Sequence, residues 1–194
     1  MMKNVLILLA DGFEIYEAAV FFDVIGWNFV DGDGTTKATI CGFQKEIRST
    51  FGAKLISDIT IDEVNVDYFD ALAIPGGFVQ YNFYEEAYSE KFLNIIREFN
   101  AKNKIIASIC TGALPIGKSG VLQNRFGTTY NQKNRIRQNT LNEFGVKILN
   151  QPIVEDKNII TSWNPSTGFE VAFNLLEKLT NKENTKKVKS LMGF

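Results

Sequence analysis

The sequence predicts an α/β protein, a mostly parallel sheet covered by helices on both faces. Three observations carry this. Segments of strand character alternate with segments of helical spacing through most of the 194 residues. Several strand segments, such as Val5–Leu9, Ala71–Ile74 and Lys104–Ile109, are near-continuous apolar runs, as strands buried on both faces require. Turn residues punctuate the boundaries, as in Asp31-Gly32-Asp33-Gly34, Pro75-Gly76-Gly77 and Asp156-Lys157-Asn158.

Val5–Leu9 is the first strand. Residues 15–30 lack breakers and read as a helix, and Asp31–Gly34 turns the chain into a second strand, Lys37–Phe43. Arg48–Asp58 carries weaker strand signals, with a hairpin around Phe51-Gly52. Ala71–Ile74 is a short buried strand stopped by Pro75-Gly76-Gly77. Ser89–Asn100 places apolar residues at 92, 93, 95, 96 and 99, a helical spacing. Lys104–Ile109 is the next strand and Gly112–Ser119 the helix after it. Arg135–Glu143 reads as a polar helix whose Arg135 and Arg137 face solvent, and Val146–Leu149 as another strand. Ile153–Glu155 and Ile159–Ser162 form a hairpin, Thr167–Leu179 an apolar helix, and 180–194 a charged tail of some helical character.

The chain is long enough for one domain spanning 1–194 with a sizeable core. A net charge of −1 gives no field for nucleic acid or an anionic membrane. No apolar stretch is long enough to span a bilayer. Val5–Ala10 resembles the core of an export signal only briefly, because Asp11, Glu14 and Glu17 follow at once. The expectation is a cytoplasmic protein whose two cysteines, Cys41 and Cys110, are free thiols. With two distant cysteines and no histidine, neither a metal nor another cofactor is expected.

In open parallel sheets, sites form beyond the carboxyl ends of the strands. Cys110 sits at such an end, at a strand-to-helix elbow, where backbone N–H groups and a helix dipole favour the thiolate. The competing reading is a small buried hydrophobe, which is the better one for Cys41. Gly76-Gly77 ends a neighbouring strand. The pair is either a tight turn or, with the N–H of Thr111, a two-donor oxyanion site. Glu17 opens a helix of apolar neighbours. It is either a solvated first-turn acid or a buried carboxyl that holds a proton beside the sulfur. Residue pattern alone leaves Glu14 and Asp23 as competitors. Tyr130 either caps the sheet end or donates a hydrogen bond to substrate, and Trp163 is a pocket wall or surface packing. Without histidine, a Cys–His hydrolase mechanism is excluded.

The set Asp11-Gly12-Phe13-Glu14 with Glu17, Ile74-Pro75-Gly76-Gly77 and Ala107–Ala113 resembles the ThiJ/PfpI superfamily. The resemblance continues through Gly127-Thr128-Thr129 and Thr161–Glu170, covering about residues 3–179. It implies a class I glutamine amidotransferase-like, flavodoxin-like three-layer sandwich and a homodimer. It also implies that Cys110 is the nucleophile and Glu17 its acidic partner. The oxyanion donors fall on Gly77 and Thr111, and a wall of the pocket on Trp163, Asn164 and Pro165. Gly76 and Tyr130 join the substrate-binding set.

Two positions depart from the superfamily's pattern: Thr111 stands where its peptidases place histidine, and Tyr130 where its deglycase-like members often do. The leading expectation is therefore a histidine-free enzyme of small reactive carbonyl compounds, glyoxalase- or deglycase-like. The alternatives are a redox sensor built on an easily oxidised thiol, an isonitrile hydratase-like enzyme and, last, a peptidase or amidase.

Overall fold

The computed structural model describes residues 1–194. Its strands are β1 (Lys3–Leu8), β2 (Thr36–Gly42), β3 (Glu46–Arg48), β4 (Lys54–Ile56), β5 (Ile59–Thr60), β6 (Ala71–Ile74), β7 (Ile105–Ser108), β8 (Phe126–Gly127), β9 (Lys147–Ile148), β10 (Ile153–Asp156) and β11 (Ile159–Ser162). Its helices are α1 (Ile15–Asp31), α2 (Phe83–Ala87), α3 (Glu90–Ala101), α4 (Ala113–Lys118), α5 (Ile136–Glu143), α6 (Gly168–Leu179) and α7 (Lys182–Leu191).

Seven strands form one sheet in the order β10-β11-β7-β6-β1-β2-β5, and only the β10–β11 hairpin is antiparallel. The apolar runs explain this. Val5–Leu8 of β1 and all of β6 are buried, so both faces of each strand need cover. One helix group, α1, α6 and α7, packs together, as does a second, α3, α4 and α5. Helices α6 and α3 both pack on β7, so the two groups cover opposite faces. The layers meet through Phe21, Val24 and Leu176 on one side and Phe92, Ile96 and Phe99 on the other, all buried.

The chain passes from β1 to β2 on one side and then returns to place β6 on the other side of β1. This reversal opens a crevice beyond the carboxyl ends of β1 and β6. Ile74 pairs with Ser108, so the segments after β6 and β7 leave the sheet at one level.

Two segments differ from the sequence reading. Val146–Leu149 contributes only the short β9, which pairs with β8 in a separate two-stranded ladder. The charged tail folds back as α7. Its Asn184 donates to Asn28 Oδ1 of α1 at 2.6 Å, Val188 is buried, and Phe194 packs on Phe169 and Phe173. Asn28 also donates to Asp33 and Thr36, so one buried amide ties the C-terminal helix to the α1–β2 turn.

Candidate active site

Cys110 follows β7 after one residue and adopts φ +54°, a left-handed conformation that costs a side-chain-bearing residue about 1–3 kcal/mol. Neighbouring bonds hold it there. Ile109 N–H donates to Ile74 O at 3.2 Å, Gly112 N–H to Ile109 O at 2.9 Å, and the Thr129 hydroxyl to Cys110 O at 2.7 Å. The elbow also needs glycine at 112, because a Cβ there would lie 2.4 Å from Ile74 O. Neither backbone segment can yield cheaply. Gly112→Ala is therefore expected to destabilise the fold by about 2 kcal/mol in urea denaturation and to loosen the sulfur's position.

Glu17 is 1% exposed, in the first turn of α1. Its Oε2 accepts the Gly76 N–H at 2.6 Å, while Glu14 N–H donates to Gly76 O at 2.8 Å. The two ends of one short turn thus grip both ends of Gly76. Glu17 Oε1 is buried with no hydrogen-bond partner. Burial pushes the carboxyl up to about 8, opposed by the Gly76 N–H and reinforced by the charge of Glu14. Glu17 therefore holds a proton at neutral pH, and a protonated Oε1 is a donor for the Cys110 sulfur to which this carboxyl is coupled.

The sulfur differs from the sequence expectation of an acidic thiol. Cys110 is 8% exposed, and burial, followed by the Glu17 charge, pushes its thiol well above the ordinary range. The Thr111 N–H opposes this without overcoming it. The left-handed elbow is real, but the desolvation that comes with it outweighs the favourable dipoles. Sulfur and carboxyl couple directly, so the first proton lost at this site belongs to the pair.

Thr111 also differs in its use. Its hydroxyl accepts from Gly77 N–H and donates to Gly77 O, both at 2.9 Å. The Gly77 N–H is thus engaged within the protein, as is that of Gly76. The Thr111 N–H faces the sulfur.

These groups border a cavity of about 400 Å³. Cys110, Glu17, Thr111, Gly77, Tyr130 and Pro165, all expected from sequence, line it. Trp163 and Asn164 do not. The Trp163 indole N–H is buried without a partner, and Asn164 donates to Asn131 at 3.2 Å. Gly76 acts behind the lining by holding Glu17. Sequence reading missed Phe78, Val79 and Gln80, which simply continue the Pro-Gly-Gly turn, and Lys133, Ile136 and Arg137. The placement of Arg137 on a solvated face is corrected: it is half-buried and lies against the cavity, over the Tyr84 ring. Nothing in the polar pattern of 131–143 marks it. No helix is long and apolar enough to cross a membrane.

The DJ-1/PfpI family model matches residues 3–178. The chain belongs to the DJ-1/PfpI family. This DJ-1/PfpI protein is 26% identical to protein dj-1beta of Drosophila melanogaster over 190 residues, covering 97% of this chain and 95% of the relative. It is 35% identical over 127 residues to the protein named deglycase PfpI of Pyrococcus furiosus, covering 65% of this chain and 72% of that one. The crystal structure of Drosophila DJ-1beta superposes with a TM-score of 0.86 at 25% identity, over 99% of this chain and 98% of that one. The sheet and its helical layers are therefore those of a family fold.

Proposed function

We propose that this DJ-1/PfpI protein is a cysteine-dependent enzyme that converts small 2-oxoaldehydes to 2-hydroxy acids without a histidine. The observation that carries the reading is the pair itself: a sulfur on a strained elbow, bordering a small cavity, coupled to a buried carboxyl that is protonated at neutral pH. Its relative's name, deglycase, agrees with carbonyl chemistry.

The steps balance within the pair. After loss of one proton, sulfur and carboxyl share the proton that remains. The thiolate forms an S–C bond to the aldehyde carbon, and Glu17 passes its proton to the aldehyde oxygen, giving a hemithioacetal. The Thr111 N–H is the donor at hand for the developing charge. Glu17, now a carboxylate, removes the hydrogen of that carbon as a proton and returns it to the neighbouring carbonyl carbon, while the hydroxyl proton of the hemithioacetal passes to the neighbouring carbonyl oxygen, which becomes the 2-hydroxyl. One carbon is oxidised, the other reduced, and a thioester remains on Cys110. Water cleaves it, releasing the 2-hydroxy acid and restoring the thiol.

We place the enzyme in the cytoplasm as a homodimer. The exposed Phe22, Phe29 and Val30 of α1 support a partner surface, and sedimentation measures it. Lactate release from methylglyoxal with no added thiol tests the activity. Turnover that rises with pH is expected, and absence of lactate at any pH contradicts the proposal.

A further inference from the structure

Arg137 makes no ion pair or hydrogen bond with any protein group. Its guanidinium lies over the ring of Tyr84, 5.2 Å from the centroid. Tyr84 is itself fixed against Phe83 and Tyr88, with ring centroids 5.2 and 4.8 Å away. The stacking orients a planar cation without neutralising it, which leaves its donor fork free for a carboxylate. Lys133 lines the same cavity and is likewise free of any acidic partner.

Two acidic side chains also face the cavity. Glu14 accepts the Glu17 N–H at 3.3 Å as the cap of α1, and Glu17 is neutral below about 8. The cavity therefore carries two cations against one carboxylate, in a chain whose net charge is −1. Arg125, by contrast, is paired with Asp156 at 2.9 Å.

We infer that Arg137, with Lys133 beside it, selects electrophilic carbonyl compounds that also carry an anionic group, a carboxylate above all. The inference builds on the proposed carbonyl chemistry and names its substrate class. The carbonyl carbon meets Cys110, and the carboxylate takes the guanidinium fork across the cavity. The cavity, at about 400 Å³, has room for both ends of such a molecule.

Alkylation of Cys110 tests this independently of turnover. Iodoacetate and iodoacetamide have the same size and leaving group and differ in charge. Their rate ratio at Cys110 is read against the ratio for free N-acetylcysteine at the same pH. Wild type is expected to favour iodoacetate by about tenfold relative to the free thiol, and less at high salt. Arg137→Gln is expected to remove most of that preference and Arg137→Lys to keep part of it. The iodoacetamide rate in each variant reports whether the elbow is intact. A wild-type ratio equal to or below that of the free thiol overturns the inference, as does a preference that Arg137→Gln leaves unchanged. Methylglyoxal, which is uncharged, decides the carbonyl reading separately. If it turns over while the alkylation ratio stays flat, charge selection alone is lost.

Discussion

Cys110→Ala is expected to reduce lactate formation from methylglyoxal to the rate of buffer, a loss of about 10⁴-fold or more. The argument is one of bonding. Every covalent intermediate in the proposed sequence hangs on the sulfur, and no second thiol borders the cavity. Cys41 lies on β2, is fully buried and is pushed up to about 12, chiefly by burial, so it offers no substitute thiolate. Cys110→Ser is expected to fall nearly as far, because a hydroxyl in the same desolvated position keeps its proton more tightly than the thiol. The alanine variant should fold, since the left-handed elbow is held by backbone bonds and the Thr129 hydroxyl rather than by the side chain. Thermal unfolding of the variant checks that point.

Glu17→Gln is expected to lower turnover by about 10²- to 10⁴-fold and, at the same time, to make the protein more stable at alkaline pH. The amide keeps the shape and can still accept the Gly76 N–H through its oxygen, but it cannot transfer a proton. The sign of the stability effect follows from the raised carboxyl. A group lifted from 4.5 to about 8 on folding contributes its stability below 4.5 and loses it as pH climbs through about 8. At pH 8 that loss is on the order of 4 kcal/mol. Glutamine carries no such dependence. After allowance of about 2 kcal/mol for its unmet amide donors, Glu17→Gln should exceed wild type by about 2 kcal/mol at pH 8, with the gap closing near about pH 6 and reversing to favour wild type by about 1 kcal/mol at pH 5. Denaturant unfolding at the two pH values measures it. A residue kept for packing alone would not trade stability against rate in this way.

Much of this arrangement was legible in the residues. β1, β6 and β7 announce themselves because strands buried on both faces must be apolar throughout. The site's place follows from where those strands end. Gly76 and Cys110 could be named because each sits two residues beyond a strand terminus, whereas Glu17 was separated from Glu14 and Asp23 only by the family resemblance. What they do to one another was not legible. Their mutual burial raises both proton affinities, and the crevice around them is bordered by Phe78–Gln80 and by residues between Tyr130 and Arg137, segments whose approach no local pattern announces. The same holds for the Gly77 N–H, whose engagement by the Thr111 hydroxyl depends on an approach across 34 positions of sequence. Arg137 was hidden because a cavity-facing cation and a solvated one look alike in a polar segment. The tail was hidden for a related reason: its lysines mask the stripe of Asn184, Thr185 and Val188 that buries α7.

The central claim is that Cys110 and Glu17 act as one proton-sharing unit in the absence of histidine. The pH dependence of Cys110 alkylation by iodoacetamide, in wild type and Glu17→Gln, tests it most directly. In wild type the rate should rise with an inflection near about 8, where the pair loses its first proton. In Glu17→Gln the sulfur titrates alone in its buried setting, and the inflection should move upward. A wild-type inflection well below 7, or one that Glu17→Gln leaves in place, would contradict the account.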